Sequence, residues 1–333
     1  MISNVEEHKL NIMADSEEKL VLKAEVIKKY LQNFDFTTDR ESMQFLHLVL
    51  ASKRIEALNN SILEAKHVQF LDLQNNNVVD IALLAQFPNL VKLNVSKNKI
   101  KSIAVFSSEE AFLNLKWLDV SNNKFTELAL VKCPKLEYVD LSYNKLEKVS
   151  ESWVGHPTVR VLKSVDNKFK SLQIFKDMPK LEELYLEANV LTSILGYETM
   201  PKLRVLHIRK NRLEKFEEEL PPHEGLAIIN MRGNKLQTLD QVERLYATFP
   251  NLSDINILGN PVEKQMPSFN LLIAEVLIKN PKIKRFSKVE ITDQHKLEAV
   301  FLAKYRWTKM EEERKKKEEE ERKKAEAEGA AAE

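Results

Sequence analysis

The sequence is poor in residues that form crosslinks and flexible loops. Cys133 is the single cysteine among 333 residues, and only six residues are glycine. One cysteine cannot form an intrachain disulfide, which favours a reducing compartment such as the cytoplasm. So few glycines argue against phosphate-binding glycine-rich loops and against flexible glycine linkers. The turns of this protein must therefore be made by other residues.

Long apolar runs and an excess of one charge are also absent. Residues 1–10 mix charged residues with isolated apolar ones, and no stretch approaches the roughly 18 consecutive apolar residues of a membrane span. We therefore expect neither a signal peptide nor a membrane anchor. The 51 basic and 50 acidic residues give a formal net charge of +1, so charge predicts no nucleic-acid or membrane surface.

Patterns of catalytic or metal-binding residues are not found in the sequence. The seven histidines have no spacing to one another or to Cys133 that suits a metal ion. No serine lies in a nucleophile elbow, and no glycine-rich loop precedes a helix. We assign no catalytic residue, no cofactor and no metal, and we expect no small-molecule substrate.

A short apolar pattern recurs along most of the chain. Its form is Leu-x-x-Leu-x-Leu-x-x-Asn-x-Leu, as in residues 115–125 and 181–191. Its asparagines lie 21 to 26 residues apart, a period typical of a solenoid. With a degenerate first copy, which has Lys53 at the asparagine position, the chain holds ten units. The asparagines are Asn76, Asn98, Asn123, Asn144, Asn167, Asn189, Asn211, Asn234 and Asn260.

The pattern predicts the structure of each unit. The Leu-x-Leu pair has the two-residue period of a strand, so both leucines point inward and the residue between them faces solvent. Successive strands then stack into a parallel sheet. Short units leave room on the opposite side for only a tight turn or a 3₁₀ segment, whereas residues 240–248 of the longest unit can form two helical turns. Each asparagine is interpreted as a structural residue whose amide satisfies backbone groups of the neighbouring turn.

The two ends of the array are predicted to be caps, because the end units of a solenoid have no neighbour to cover their apolar face. Residues 16–33 carry Leu20, Ile27, Tyr30 and Leu31 at helical spacing. The predicted organisation is a helical N-terminal cap over 1–42, leucine-rich repeats over 43–262, a C-terminal cap over 263–293 and a charged helix with its tail over 294–333. The fold class is an α/β solenoid, an arc with a concave parallel sheet.

These motifs resemble the intracellular SDS22-like leucine-rich-repeat family. The cap of that family has Gly-Asn-Pro, then a helix, then Pro-x-Leu, and here the sequence has residues 259–261, then Pro281 and Ile283. Residues 287–288 are Ser-Lys where the family usually has Asp-Gly. The run of units through residues 231–234, the long penultimate unit and the charged C-terminal helix are most similar to the leucine-rich-repeat radial-spoke proteins of motile cilia. The resemblance implies an axonemal scaffold.

The C-terminal segment predicts a long projecting helix. From Glu311 onward, glutamates precede lysines or arginines by four residues six times, as in Glu319 and Lys323, and each such pair adds about 0.2–0.5 kcal/mol to helix stability. The alternative is a solvated charge run. A coiled coil is less favoured, because residues 311–324 lack an apolar seam. Partner contacts are predicted at the sparse apolar stripe before the charge run, at Leu297, Val300, Phe301, Tyr305 and Met310.

The concave face of the sheet is the second predicted binding surface. Its aromatic residues cluster in the first half and its basic residues in the second, a mixture suited to protein recognition. The alternative is that aromatic residues of adjacent strands only pack against one another; Trp117 and Tyr138, at equivalent positions, can do both. The candidate residues are Phe70, Trp117, Asp119, Tyr138, Asp140, Tyr185, His207, Arg209 and Arg232.

Three functions are compatible with this sequence. The first is a non-enzymatic structural scaffold of the axoneme of cilia or flagella, located in the cytoplasm and cytoskeleton, with radial-spoke subunits as partners. The second is a regulatory subunit of an enzyme such as protein phosphatase-1, which would use the aromatic and acidic concave residues. The third, binding of nucleoprotein by the basic residues of the tail, is the weakest, since glutamates match those basic residues.

Overall fold

The computed structural model describes residues 20–36, 42–129, 131–151 and 153–330, with the backbone alone for 324–330. The chain divides into two compact units, Met1–Arg212 and Leu213–Glu333. The N-terminal cap is predicted over residues 1–42 with its helix over 16–33, so residues 1–19 and 37–41 of that prediction lie outside the described part of the chain. Each unit is described by itself below.

The first unit is built on a sheet whose strands follow the predicted repeats. Helix α1 (Ala24–Lys29) precedes strand β1, which pairs antiparallel with β2. From β2 onward every neighbouring pair in this sheet is parallel, and β6 and β8 form a separate two-stranded ladder. The strands are β1 (Leu31–Phe36), β2 (Met43–Val49), β3 (Phe70–Asp72), β4 (Lys92–Asn94), β5 (Trp117–Asp119), β6 (Glu127–Leu128), β7 (Tyr138–Asp140), β8 (Lys148–Val149), β9 (Val161–Lys163), β10 (Glu183–Tyr185) and β11 (Val205–His207).

The repeat leucines form the core of this unit, as predicted. In the unit that begins at residue 68, Val68, Leu71 and Leu73 are fully buried. The corresponding residues of later units are also buried, including Ser164, which replaces an apolar residue in its unit. The chain returns between strands through short 3₁₀ helices, which confirms the tight connections expected from the short period. These helices are Asn60–Ala65, Ala82–Gln86, Ala104–Ser107, Leu172–Phe175 and Tyr197–Thr199.

The N-terminal end differs from the predicted helical cap. The helix ends at Lys29, and residues 31–36 form β1 against β2, whose extended pairing satisfies backbone groups that a helix over the same residues would use internally. The first copy of the repeat also differs from expectation. The pattern predicts Phe45, Leu48 and Leu50 as inward residues of that copy. Phe45 is instead 43% exposed and Leu46 is buried, because β2 alternates between its two faces and places Leu46 and Leu48 inward.

The asparagines form the predicted ladder. The Asn144 amide nitrogen donates to the carbonyl of Leu141 in its own unit (2.9 Å) and to that of Val120 in the preceding unit (3.2 Å). Its side-chain oxygen accepts the backbone N–H of Phe125, also in the preceding unit (3.2 Å). The same arrangement recurs at Asn98, Asn123, Asn189 and Asn211. Asn167 keeps both bonds to the preceding unit, and within its own unit it donates to the Ser164 hydroxyl and the Val165 carbonyl. Each turn is therefore closed by a side chain of the next unit.

The residue directly before each ladder asparagine is in the left-handed conformation. Only two of these residues are glycines, Gly233 and Gly259; the others have side chains and φ between 54° and 57°. They are Asn75, Lys97, Asn122, Tyr143, Asp166, Ala188 and Lys210. L-residues adopt this region at a cost of roughly 1–2 kcal/mol. The sequence pattern did not reveal these positions, because residue type varies among them.

The second unit carries the remaining repeats and the C-terminal cap. Helix α2 confirms the two helical turns predicted for residues 240–248. The two strands β12 and β13 pair in parallel, β13 pairs in parallel with β14, and β14 and β15 form a hairpin. The elements are β12 (Ile228–Asn230), α2 (Leu239–Thr248), β13 (Asp254–Asn256), α3 (Pro261–Lys264), α4 (Phe269–Lys279), β14 (Arg285–Phe286), β15 (Val289–Glu290) and α5 (Asp293–Ala330).

The loop of the β14–β15 hairpin explains the Ser-Lys pair found where the resembled family has Asp-Gly. Phe286 pairs with Val289, so Ser287 and Lys288 are the two loop residues, and both have positive φ, 50° and 77°. Two central residues with positive φ define a type I′ turn, for which Asp-Gly is a favoured sequence. The turn therefore has the conformation that Asp-Gly would adopt. Ser287 and Lys288 adopt it at a cost in free energy, because both carry side chains and have positive φ.

Helix α5 begins by packing on α4 and then leaves it. Ala299 is buried against the cap, and the Arg306 guanidinium donates to the carboxylate of Glu275, a residue of α4 that is only 7% exposed (Nη1 to Oε2, 2.7 Å). Beyond Met310 nearly every described side chain is exposed. The predicted i, i+4 pair of Glu319 with Lys323 is formed, at 2.7 Å. The first four turns thus belong to the cap.

Replacing Asn144 by alanine should destabilise the first unit by about 1–3 kcal/mol, because buried carbonyls of two units and one buried N–H lose their partner. Denaturant unfolding of the variant and the parent chain measures this difference. The matched control is Asn114→Ala, which removes a partly exposed amide whose hydrogen bonds, to the Pro88 carbonyl and from the Lys135 ammonium, are both at the surface. This change should alter the free energy of unfolding by less than about 0.5 kcal/mol. Equal and negligible shifts for both variants would contradict the ladder.

Replacing Lys288 by glycine should stabilise the second unit by about 0.5–1 kcal/mol, because glycine adopts positive φ freely and part of this gain is offset by unfolded-state entropy. The midpoint of thermal unfolding reports the change. Lys284→Gly, at a position without positive φ, is the control and should lower the midpoint. A lower midpoint for Lys288→Gly would show that the turn is not strained.

Candidate protein-binding surfaces

The outward side chains of the first sheet form two rows. Strand register places Phe70, Lys92, Trp117 and Tyr138 opposite one another in the first row. The second row contains, in order, Asp72, Asn94, Asp119, Asp140, Lys163, Tyr185 and His207. Since parallel strands lie about 4.8 Å apart, residues more than 20 positions apart in sequence become direct neighbours. All the predicted concave residues from Phe70 to His207 lie in these rows.

Four side chains form a stack, three from the first row (Lys92, Trp117 and Tyr138) and one from the second (Lys163). The rings of Trp117 and Tyr138 are parallel, with 7° between their planes and 5.2 Å between centroids. The Lys92 ammonium lies 5.0 Å from the Trp117 centroid, and the Lys163 ammonium lies 5.3 Å from that of Tyr138. Ring stacking and cation–π contacts each contribute on the order of 0.5–1 kcal/mol. The four residues are called the aromatic stack below.

The aromatic stack confirms the packing alternative, and its exposure is compatible with the predicted binding role. The ring faces are used by neighbours within the protein, as the packing alternative expected. The rings are nevertheless only half-buried, so their edges remain open to a partner. Because stacking fixes their rotamers before binding, little side-chain entropy is left to lose on association.

Three carboxylates line the second row beside the stack. Asp72, Asp119 and Asp140 each accept the backbone N–H two residues onward, at 2.8–2.9 Å. No lysine or arginine within the described ranges lies within ion-pair distance of them. Burial raises the pKa of Asp72, and it raises the pKa of Asp119, to which the neighbouring Asp140 charge adds. This half of the surface is therefore acidic and incompletely compensated.

The other half of the same sheet is a mixed cluster. The Tyr185 and His207 rings are 4.9 Å apart, and the Tyr185 hydroxyl donates to Glu183 at 2.7 Å. Burial and the Glu183 carboxylate raise the pKa of Tyr185. Glu187 is 7% exposed; one of its oxygens is 3.5 Å from His207 Nδ1 and 3.7 Å from Arg209 Nε. The predicted residues Tyr185, His207 and Arg209 are thus brought together around a buried glutamate that the sequence analysis did not select.

Arg232 is the one predicted concave residue that lies in the second unit. It follows β12, it is exposed, and its N–H donates to the Asn230 side chain at 3.2 Å. In the same unit the sequence analysis missed the ion pair between Arg285 and Asp254 at 2.5 Å. Asp254 occupies the strand position that is equivalent to the first row. That position in the repeat was the available sign that its carboxylate faces outward and can pair with a neighbouring strand.

Helix α5 presents the predicted apolar residues to solvent. Leu297, Val300, Phe301, Tyr305 and Met310 are 53–69% exposed. Trp307, which the sequence analysis omitted, is 65% exposed; its spacing of seven from Val300 places it on the same side of the helix and was the available signal. The helix buries Ala299 and pairs Arg306 on the opposite side. Leu297, Val300, Phe301, Tyr305 and Trp307 share one side of the helix and form the apolar face of α5, whereas Met310, four residues after Arg306, lies on the Arg306 side.

A second exposed apolar cluster lies on the N-terminal hairpin. The rings of Phe34 and Phe45 are 5.1 Å apart, and both side chains are about half exposed, as are those of Phe36 and Met43. Strand pairing explains the cluster, because Phe34 faces Phe45 and Phe36 faces Met43 across the hairpin. The sequence analysis missed it by assigning residues 31–33 to a helix.

Buried reactive side chains in the first unit are held in inert states. Burial raises the pKa of Cys133 to about 12 and lowers that of His156 to about 4, so the thiol is protonated and the imidazole neutral at neutral pH. Among the described residues no group of histidine, cysteine, aspartate and glutamate is arranged to hold a metal ion. No helix in the described ranges has the length and apolar character needed to cross a bilayer.

Comparison with known proteins agrees with this architecture. A "Leucine rich repeat" family model matches residues 88–146, and a "Leucine Rich repeats (2 copies)" model matches residues 66–108. The fold is a leucine-rich-repeat solenoid. Relatives of the chain include Leucine-rich repeat-containing protein 23 of Bos taurus, 24% identical over 252 residues, which span 69% of this chain and 71% of the relative. The human protein of that name is also 24% identical, over 253 residues.

Solved structures show the same fold at low identity. A chain of the LRIM1/APL1C complex aligns with a TM-score of 0.53 and 23% identity, over 64% of this chain and 39% of that one. The TLR13–ssRNA13 complex aligns with a TM-score of 0.58 and 21% identity, over 78% and 38%. This chain thus spans well under two thirds of those solved chains, and the likeness concerns the fold alone.

Replacing Asp119 by asparagine should stabilise the first unit at neutral pH. The raised pKa of Asp119 means that the folded state binds its proton more readily than the unfolded state, so the charged carboxylate disfavours folding and stability falls as pH rises through its titration. Asparagine keeps an acceptor for the N–H of Ser121. Denaturant unfolding at pH 7 should show a higher free energy for the variant, and the difference should vanish below the carboxyl pKa. A stability loss at pH 7 would show that Asp119 is compensated.

Proposed function

We propose that the chain is a non-catalytic protein-binding scaffold and a structural component of the axoneme of motile cilia or flagella, at or near the radial spoke. Its partners are other proteins, radial-spoke subunits in particular. The observation that carries the binding role is the aromatic stack, which is fixed in place within the protein and remains half-exposed on the outward face of the sheet.

The chemistry of the stack and its surroundings supports protein recognition. Tryptophan and tyrosine held in one rotamer are the residues that most often dominate binding energy at protein interfaces. The adjacent carboxylates, Asp72, Asp119 and Asp140, add a charge pattern that selects a partner segment with basic side chains. A basic residue placed between Asp119 and Asp140 would also relieve their mutual repulsion.

The axonemal location is supported by the resemblance noted in the sequence. The long penultimate unit contains helix α2, and the Asn-Pro cap contains helices α3 and α4. The charged C-terminal segment forms helix α5. The relatives named Leucine-rich repeat-containing protein 23 are aligned over 69% of this chain. Two candidate binding surfaces on one chain also suit a protein that joins components of a large assembly.

Fractionation and crosslinking of motile cilia test the proposal. The full chain should remain with axonemes after detergent extraction. In crosslinking mass spectrometry on intact cilia, Lys92 and Lys163 should react with radial-spoke subunits, because both lysines bracket the aromatic stack. Lys148, exposed on the separate β6–β8 ladder, is the matched control and should give fewer crosslinks. A chain found wholly in the soluble cytosol and absent from extracted axonemes would overturn the proposal.

A second candidate is a regulatory subunit of an enzyme such as protein phosphatase-1. It is favoured by the closeness of the aromatic residues Phe70, Trp117 and Tyr138 to Asp119 and Asp140 on one face. Recovery of phosphatase with the full chain, and its loss on Trp117→Ala but not on Tyr143→Ala, would support this function. Tyr143 is an exposed aromatic residue outside the strand rows.

A further inference from the structure

The apolar face of α5 is large and has no partner within the described chain. Five large apolar side chains between residues 297 and 307 are more than half exposed on this side, with Phe301 at 69%. This stretch is about 15 Å long at 1.5 Å per residue. Contiguous apolar surface of this extent on a soluble protein marks a contact site. The opposite side of the same turns is held on α4 by Ala299 and by the Arg306–Glu275 pair, so the face is fixed in orientation.

Lysine occupies the middle of this face. Leu297, Phe301 and Lys304 are spaced by four and three residues and therefore lie along one line of the helix. The Lys304 side chain is exposed and has no carboxylate within ion-pair distance in the part of the chain that the structure describes. Lys309 lies nearby, with its ammonium 5.1 Å from the Tyr305 centroid. Glu298, the acidic residue of this stretch, is bonded to Gln294. A matching surface must therefore supply negative charge.

This charge argues against a second copy of the chain and against a membrane. Two copies of the face packed antiparallel and centred would bring Lys304 against its own counterpart at the middle of the contact, which costs binding energy. An anionic membrane would meet Glu311, Glu312 and Glu313 directly after the face. The following charged tail adds no attraction, since residues 311–324 contain seven acidic and seven basic residues and have no net charge.

We infer that the apolar face of α5 binds an amphipathic α-helix of another protein, one whose apolar stripe is flanked by acidic residues. Helices pack against exposed helical ridges through residues at spacings of three, four and seven, which are the spacings of this face. The long Lys304 side chain, in the middle of the face, can extend to an acidic residue beside the partner's stripe, and Lys309 lies beside Tyr305 at the edge of the face, where a second acidic residue would pair with it. The inference rests on the proposed function, because it names the kind of partner that attaches the scaffold.

Two designed peptides test the inference on the full chain. Both have four heptads with leucine at the a and d positions; one has glutamate at e and g, the other lysine. Each repels itself at neutral pH and so stays available for binding. Fluorescence anisotropy of the labelled peptides should show binding of the acidic peptide at least about tenfold tighter than that of the basic one.

Variants of the full chain sharpen the test. Phe301→Ser should weaken binding of the acidic peptide about tenfold or more, and Lys304→Glu should reverse the preference between the two peptides. Lys316→Glu, an exposed change in the charged tail, is the control for non-specific attraction and should leave both affinities unchanged. Circular dichroism confirms that each variant is folded.

Several results would overturn the inference. Equal or absent binding of the two peptides would do so, as would loss of binding with Lys316→Glu. A dimer in sedimentation equilibrium that Phe301→Ser dissociates would assign the face to a second copy, and Phe301-dependent binding to phosphatidylserine vesicles would assign it to a membrane. A chain that remains in axonemes while failing the peptide test contradicts this inference alone, whereas absence from axonemes contradicts the proposed function.

Discussion

The structure depends on one interaction, the hydrogen bonding of each repeat asparagine to two successive units. The side chain of Asn123, for example, donates to carbonyls of its own unit and of the preceding one, and accepts the N–H of Ile100. A turn is therefore complete only when the next unit is in register. This requirement couples neighbours, and in a solenoid neighbour coupling is the main source of stability. It also fixes the strand register from which the outward rows follow.

Register is what turns a periodic core into a specific surface. Trp117 and Tyr138 lie 21 residues apart in sequence and stack because their strands are paired one to one. Lys92 and Lys163 complete the stack from the strands on either side. The resulting surface is rigid because every ring face is already covered. Rigidity of this kind favours selection of one partner shape over adaptation to many.

The two surfaces have different physical character and so suit different roles. The sheet face is a mixture of half-buried aromatic and acidic groups, in which desolvation and charge pairing set specificity. The α5 face is mostly apolar and strongly exposed, and it is oriented by a single buried carboxylate, Glu275, that requires Arg306. A buried glutamate without its arginine would carry the full cost of desolvation. That pair therefore links the stability of the cap to the presentation of the helix.

Strain is distributed through the repeats and is not concentrated at one site. Left-handed residues precede the ladder asparagines in unit after unit, and most of them have side chains. The low glycine content is thus compatible with many tight turns. The ladder hydrogen bonds and the packed core hold residues such as Ala188 and Lys210 in the left-handed conformation, which residues with side chains rarely adopt.

The sequence by itself determined the repeat period, the inward leucines, the asparagine ladder, the helix in the long unit and the stripe on α5. These features follow from the spacing of residues along the sequence, because that spacing fixes which residues share a face of a strand or a helix. Tertiary structure decided the rest. Whether Phe45 faces inward depends on how far β2 extends, and β2 extends because β1 pairs with it. The bracketing of the rings by Lys92 and Lys163 depends on rotamers that only neighbouring strands fix. The pairing of Glu275 with Arg306, 31 residues apart, requires two helices to meet, and no periodicity in either helix encodes that meeting.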